Sequence, residues 1–427
     1  MPRQAFPPAP DRTTHSPPAT SPGGAGSPPG GSTSPAAALA SLRVSAPAPT
    51  SQVAVHPIDT ATHLAYLRSL RSLRSASFLQ TPAWGRVKTD WRAESLGWYD
   101  ADRLVGVGLV LHRAMPMIGR SLAYLPEGPL LDWASPAVSG DLDRWLDPLV
   151  ARLRDSGAFA VRMGPPVVTR RWQAATVKQA IADPVLTRLG DVPADSADAC
   201  GDAVVEHLRR TGWRLQTADG GFSTGQPRHV FQVRLEGRDE HQLLAGMNQQ
   251  WRRNIKKAAK AGVTVREGDR DELTAFHTLY RETAARDHFT PRPLGYFHTM
   301  WDELRGEEPD RLRLHLAEHQ GGLAAATLSI RVGEHVWYSY GASSTKYRDV
   351  RGSNAVQWQL IRGALADGAS VYDLRGITDT LDEADPHLGL VQFKVGTGGE
   401  AVEYVGEWDL PLSRLLYRAF DLYLRRR

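Results

Sequence analysis

Two stretches of the chain repeat one succession of hydrophobic patterns: apolar runs of strand length, a helical period, then a short apolar run. In the first, Arg103 to His112 reads as a buried strand, and Ser121 to Trp133 as a second strand interrupted by a Pro/Gly kink. Over residues 143–156, Leu146, Leu149, Val150 and Leu153 recur at helical spacing, and Gly157 supplies the stop. Ala158 to Met163 then closes the unit as a strand.

The second stretch offers apolar strands over residues 312–318, 322–331 and 335–340. A helix is expected over residues 353–367, with Val356, Leu360, Ile361, Ala364 and Leu365 on one face and Gly368 ending it. Residues 370–374 form the returning strand, residues 230–235 an opening strand and residues 401–408 a late one. After Pro411 an amphipathic helix places Leu412, Leu415, Leu416, Phe420, Tyr423 and Leu424 on its apolar side. The order implies an α/β (α+β) chain built from two related units. Residues 165–228, rich in Pro, Asp and Ala, carry helices near 172–181 and 202–211 and no assignable chemistry.

A length of 427 residues suggests two globular units plus something extra. The extra part is the stretch from Met1 to Ser51, dominated by Pro, Ser, Ala, Gly and Thr and too poor in apolar surface to offset the entropy of ordering, hence a disordered tail. It has no apolar core of the size a secretory signal requires, and no run elsewhere reaches the roughly 18 to 20 residues of a membrane span. With a single cysteine, Cys200, in a stretch that reads as a surface loop, an intrachain disulfide is excluded and a catalytic thiol disfavoured. These features point to a cytoplasmic protein. No histidine pair has metal-ligand spacing with a supporting carboxylate, so no metal is expected.

The net charge of +4 matters only because the cations cluster. As a helix, Met247 to Val265 turns Trp251, Ile255, Ala258 and Ala259 inward and stacks Arg252, Lys256 and Lys260 beside Arg253 and Lys257. Such a face suits phosphates, and is equally compatible with plain solvation. The turn after Trp337 to Tyr340, Gly341-Ala-Ser-Ser344, exposes amides and hydroxyls where a carbonyl or phosphate could sit. In Phe393-Lys394, followed by a Gly-rich loop, a fixed cation could face a negatively charged transition state, though a loop lysine can be merely solvated.

Taken in order, these stretches resemble the Fem family of peptidoglycan bridge-forming aminoacyltransferases. The similarity begins at Phe78-Leu-Gln-Thr-Pro-Ala-Trp-Gly-Arg-Val-Lys88 and continues through Tyr124-Leu-Pro-Glu-Gly-Pro-Leu-Leu-Asp132 to the basic segment Arg252 to Val263. Tyr340 to Ser344, Gln357-Trp358, Tyr372-Asp373 and Phe393-Lys394 complete it. The resemblance implies two GNAT-like acyltransferase domains: residues 52–228, completed by the terminal helix 411–427, and residues 229–410. The sequence after Gly262 leaves no room for the coiled-coil arm that some members carry. It further implies a monomer without a cofactor that takes aminoacyl-tRNA as co-substrate and a UDP-linked or lipid-linked muropeptide precursor as acceptor, with peripheral contact at the inner membrane surface.

Carried over by position, Lys88 and Arg252, or Arg253 in the alternative register, would bind the precursor's phosphates, and Tyr340 would line the peptide site. Phe393 and Lys394 would stand at the reacting ester as the catalytic pair, Lys394 donating to the oxyanion or to the departing ribose oxygen. Glu127, in the kinked strand, invites a general-base reading beside a role in substrate binding or in capping backbone amides. Two rival readings are an acyl-CoA-dependent GNAT N-acyltransferase, disfavoured because Asp349 to Asn354 departs from the usual pyrophosphate turn, and a non-catalytic protein that binds RNA or the cell wall.

Overall fold

The computed structural model describes residues 52–70, 76–115, 118–216 and 225–425. The expected N-terminal tail lies outside them, as do the side chains of Tyr423, Leu424 and the terminal arginines. The described chain forms two mixed sheets flanked by helices, and both sheets are laid out on one plan. In the first, Arg92–Asp100, Arg103–Ala114 and Ser121–Leu125 run antiparallel. The helix Leu142–Asp155 then crosses over, and Ala158–Met163 returns parallel to Ser121–Leu125. The second repeats the plan: Leu312–His319, Gly322–Val332 and His335–Ser343 run antiparallel, the helix Gly352–Ala366 crosses, and Val371–Ile377 returns parallel to His335–Ser343. The period-3.6 stripes read from sequence are the buried faces of the two crossover helices: Leu146, Leu149 and Leu153 in one, Val356, Leu360 and Ile361 in the other.

Among the described residues the chain passes between the sheets four times, the middle two passages flanking Arg214–Leu215, which pairs with Trp408–Pro411 in the first sheet. Val168–Gln173, part of the stretch for which sequence offered only helices, hydrogen-bonds to Glu400–Tyr404 inside the second sheet, although it falls within residues 52–228. Trp408–Pro411 leaves the second sheet's neighbourhood and pairs with Ala158–Met163 in the first. One apolar cluster joins the units directly, uniting Phe78, Trp84, Leu109 and Leu111 with Phe276, Phe297, Leu328 and Trp337.

The helices Leu273–Asp287 and Leu294–Glu307 follow the basic segment. They are no projecting arm, because Leu273, Phe276, Phe297, Met300 and Leu304 are buried in that shared cluster. The terminal helix Arg414–Arg425 seats Leu416, Tyr417 and Phe420 against Leu122 and Phe159 of the first sheet. Leu415, expected on its apolar side, instead points outward and is 78% exposed. Among the described residues no helix is long and apolar enough to cross a membrane.

Candidate active site

Lys394 is not on a loop. It occupies the last turn of the helix Leu388–Val395, and only 3% of it is exposed. Its Nζ donates to the carbonyl of Gly376 at 2.6 Å and more weakly to that of Arg375 at 3.4 Å. An ammonium has three N–H donors, so two carbonyls leave one unspent. Burial pushes this amine down to about 7, with Asp373 opposing the shift and Arg375 adding to it. Phe393, half-exposed beside it, packs its ring 4.8 Å from Trp251, whose indole N–H donates to the Phe393 carbonyl at 2.8 Å. The basic helix Gln249–Lys260 is thereby fixed against the lysine-bearing helix.

The glycines after Lys394 serve this close approach and form no ligand cradle. A Cβ on Gly396 would stand 2.2 Å from the Trp251 ring, and one on Gly398 would stand 2.1 Å from the Gly246 carbonyl oxygen. The Gly/Ser turn is likewise committed internally. Ser343 N–H donates to Thr283 Oγ1 at 2.9 Å, Ser344 N–H to the Ala324 carbonyl at 2.9 Å, and Arg286 bonds the Ser343 carbonyl and hydroxyl.

Behind Lys394 lies a polar network that sequence reasoning missed at its centre. Arg375 donates through Nη1 to Glu127 Oε1 and through Nη2 to Gln226 Oε1, each at 2.9 Å. Its guanidinium also lies 5.4 Å from the Phe78 ring centroid. Ser77 Oγ donates to Glu127 Oε2 at 2.5 Å. Gln226 passes the network to Tyr124, whose hydroxyl donates to Glu407. On the other side, Asp373 accepts from the Arg375 amide at 2.5 Å and from Gln232 at 3.0 Å, with His335 at 3.2 Å. Glu127 and Arg375 both adopt left-handed backbone, with φ of 50° and 62°, at a cost of order 1–3 kcal/mol each that surrounding bonds must offset. Each Glu127 oxygen accepts a bond, Oε1 from Arg375 and Oε2 from Ser77, so the carboxylate anchors this network.

Lys88 and Tyr340 meet on one wall. Lys88 Nζ lies 4.8 Å from the Trp84 ring centroid and 5.6 Å from that of Tyr296, whose hydroxyl is 3.1 Å from that of Tyr340. Burial, helped by nearby Arg292, brings the Lys88 ammonium down to about 8. Phe78 connects this wall to the network, since it packs 5.2 Å from Trp84 and lies under Arg375.

On the basic helix, Arg252 folds back to donate to the carbonyls of Ala245 and Met247, while Arg253 is exposed. Among the described residues, Arg253, Lys256, Lys257 and Lys260 have no ion-pair partner, whereas Arg266, Arg270 and Arg286 on neighbouring elements all pair with carboxylates. Ala259, expected inward, is exposed. The structure thus gathers Lys394, Phe393 and Glu127 around one network, joins Lys88 and Tyr340 to it through Phe78, and brings the basic helix alongside through Trp251. It shows no direct contact between Arg252 or Arg253 and Lys88.

Cys200 is helical, within Ala199–Arg210, and half-buried with its thiol 3.1 Å from the Trp133 carbonyl. Burial raises its pKa, away from the thiolate a nucleophile needs. Among the described residues no group of three His, Cys, Asp or Glu side chains could hold a metal ion.

The chain is 22% identical over 415 residues to a lipid II:glycine glycyltransferase of Staphylococcus epidermidis, covering 82% of this chain and 92% of that protein. The enzyme of the same name from Staphylococcus saprophyticus is 23% identical over 406 residues, covering 80% of this chain and 90% of that one. The crystal structure of FemX superposes with a TM-score of 0.70 at 21% identity, over 86% of this chain and 99% of that one, and so shares the fold. The model of the FemAB family matches residues 69–318 and 313–424, nearly the whole described chain, and the protein belongs to the FemAB family.

Proposed function

We propose that this chain transfers an amino acid from an aminoacyl-tRNA to an amine on the stem peptide of a lipid-linked peptidoglycan precursor. The observation that carries the reading is Lys394: a buried amine, held by two carbonyls with one N–H unspent, in a helix fixed against an unpaired basic face. The relatives named lipid II:glycine glycyltransferase support a lipid-linked acceptor and glycine as the first donor to test. Such an acceptor would bring the protein to the cytoplasmic membrane face as a peripheral, monomeric enzyme without a cofactor.

An aminoacyl ester is already activated, so the acceptor amine attacks its carbonyl carbon directly and no covalent enzyme intermediate is needed. The new C–N bond forms first, giving a tetrahedral oxyanion; the ester C–O bond then breaks, and the proton lost by the attacking amine balances the one the departing ribose oxygen takes up. Lys394 would donate its remaining N–H to the oxyanion and then to that oxygen. Lys88 and Arg252 or Arg253 would hold the precursor's phosphates, and Tyr340 its peptide. Holding amine and ester together contributes about 7–11 kcal/mol in well-oriented reactions, which explains how few catalytic groups are required.

The decisive test is to incubate the protein with mixed charged tRNAs and either lipid-linked or UDP-linked precursor, and weigh the products. The reading expects one added amino-acid residue on the lipid-linked precursor, dependent on charged tRNA. No mass gain with any charged tRNA would refute the reading, and a gain confined to the UDP-linked precursor would refute its choice of acceptor.

A further inference from the structure

The geometry points to Arg375 as the positioning residue for Lys394: its guanidinium, clamped by Glu127 and Gln226, locks the left-handed turn whose carbonyl, with that of Gly376, directs the lysine amine. The inference rests on Lys394 acting at the reacting ester. Three independent features support it.

The first is backbone conformation. Arg375 interrupts the strand Val371–Ile377, where the register against His229–Arg234 shifts between Asp373 and Gly376. A regular strand would alternate its carbonyls to either side. The left-handed residue at φ 62° breaks that alternation, so the Arg375 and Gly376 carbonyls both meet Nζ. A residue other than glycine holds such a conformation only when its surroundings over-determine it.

The second is the set of bonds that supplies this determination. The Arg375 amide is tied to Asp373 Oδ1, its guanidinium to Glu127 and Gln226, and its face to Phe78. Glu127 is itself held by Ser77. The clamp therefore draws on the first sheet's kinked turn as well as on the second sheet. Planar guanidinium geometry is required, because one ammonium cannot reach two divergent acceptors in fixed directions.

The third is charge. Two formal charges face the lysine amine from the strand beneath it: Asp373, held in turn by His335 and Gln232, and Arg375. The arginine opposes protonation of Lys394 and the aspartate favours it. Burial lowers the pH at which the amine carries its proton; Arg375 sets the direction of the amine and, against Asp373, adds to that lowering.

The test compares Arg375→Met, Arg375→Lys and Lys394→Met with the parent, each checked for fold by circular dichroism and melting. Two measurements are made on each: steady-state transfer with varied acceptor, and the titration of the Lys394 resonance in protein carrying 13C-labelled lysine, assigned by its loss in Lys394→Met. Arg375→Met is expected to lower kcat about 10- to 100-fold with acceptor KM changed less than about twofold. Its Lys394 titration moves up by about one pH unit, because Asp373 is then unopposed. Arg375→Lys keeps the charge and spares Glu127 an unpaired burial, so it carries the test even if Arg375→Met fails to fold. Its titration stays near the parent's, while its kcat still falls because the fork is lost.

Folded Arg375 variants with parental kcat and parental Lys394 titration overturn the inference. If Lys394→Met keeps full kcat, the transfer reading of Lys394 falls instead, and the resonance still decides whether Arg375 controls the amine.

Discussion

Glu127 Oε1 lies 2.9 Å from Arg375 Nη1, and through this one ion pair the kinked turn of the first sheet grips the bulged strand of the second. Glu127 is buried, and its partner is largely so. Removing one member of a buried pair strands the other's charge, which costs more than the pair itself contributes. Glu127→Ala is expected to destabilise the fold by about 3 kcal/mol in urea unfolding. A loss below about 0.5 kcal/mol would place the pair with ordinary surface bridges.

Lys394→Met should lower kcat by about 10²–10³ while charged-tRNA affinity holds, as expected for a group acting only in the transition state. The protonated amine is the donor, so the parent's rate should fall as pH rises through about 7. For stability the sign follows from a folded pKa of about 7 below the ordinary 10.5. The Lys394 contribution is fully present above about 10.5 and lost as pH falls to about 7, because the unfolded chain binds the proton first. Lys394→Met should therefore flatten the rise in stability across that window, which urea titrations at several pH values would measure.

Lys88 stands between two aromatic faces, those of Trp84 and Tyr296, and is proposed to hold phosphate and take no part in the bonds that change. Lys88→Met is expected to raise acceptor KM about tenfold and leave kcat within about twofold, the pattern of lost uniform binding. A fall in kcat at constant KM would move Lys88 into the chemistry.

Neutralising Lys256, Lys257 and Lys260 to Gln should weaken tRNA binding and flatten its dependence on salt. Each phosphate left without its lysine reduces the slope of log K against log salt by about 0.7–0.9. Filter binding at several salt concentrations reads this directly, and an unchanged slope would mean that the face is only solvated.

Glu407 titrates abnormally for a carboxyl, since burial raises it to about 7 against the Tyr124 hydroxyl bond and Arg162, which oppose the shift. Its contribution to stability is complete below about 4.5 and lost as pH rises through about 7. Glu407→Gln, which mimics the protonated form, should gain about 1–3 kcal/mol at pH 8 and almost nothing at pH 4.5.

The elements with strong periodicity were legible in the sequence. The crossover helices announced themselves through Leu146, Leu149, Leu153 and Val356, Leu360, Ile361, each stripe ending in a glycine at positive φ, Gly157 or Gly368. The helix carrying Lys394 did not, because Leu388-Gly-Leu-Val-Gln-Phe-Lys-Val is apolar nearly all round and is flanked by glycines that resemble a loop. Val168–Gln173 was hidden by its two arginines, which pair with Glu403 and Glu400 from the neighbouring strand. Arg375 had no local pattern at all. Its partners Glu127 and Gln226 are 248 and 149 residues away, and such bonds exist only once both sheets are in place.

The return of Trp408–Pro411 to the first sheet has a consequence for biosynthesis. Until that segment leaves the ribosome, Ala158–Met163 presents an open edge, and the core position that Trp408 fills, 1% exposed when folded, stays empty. The early half of the nascent chain must wait for a segment made long after it, so a polypeptide cut short before Trp408 is left with a sticky flank rather than a usable half-enzyme.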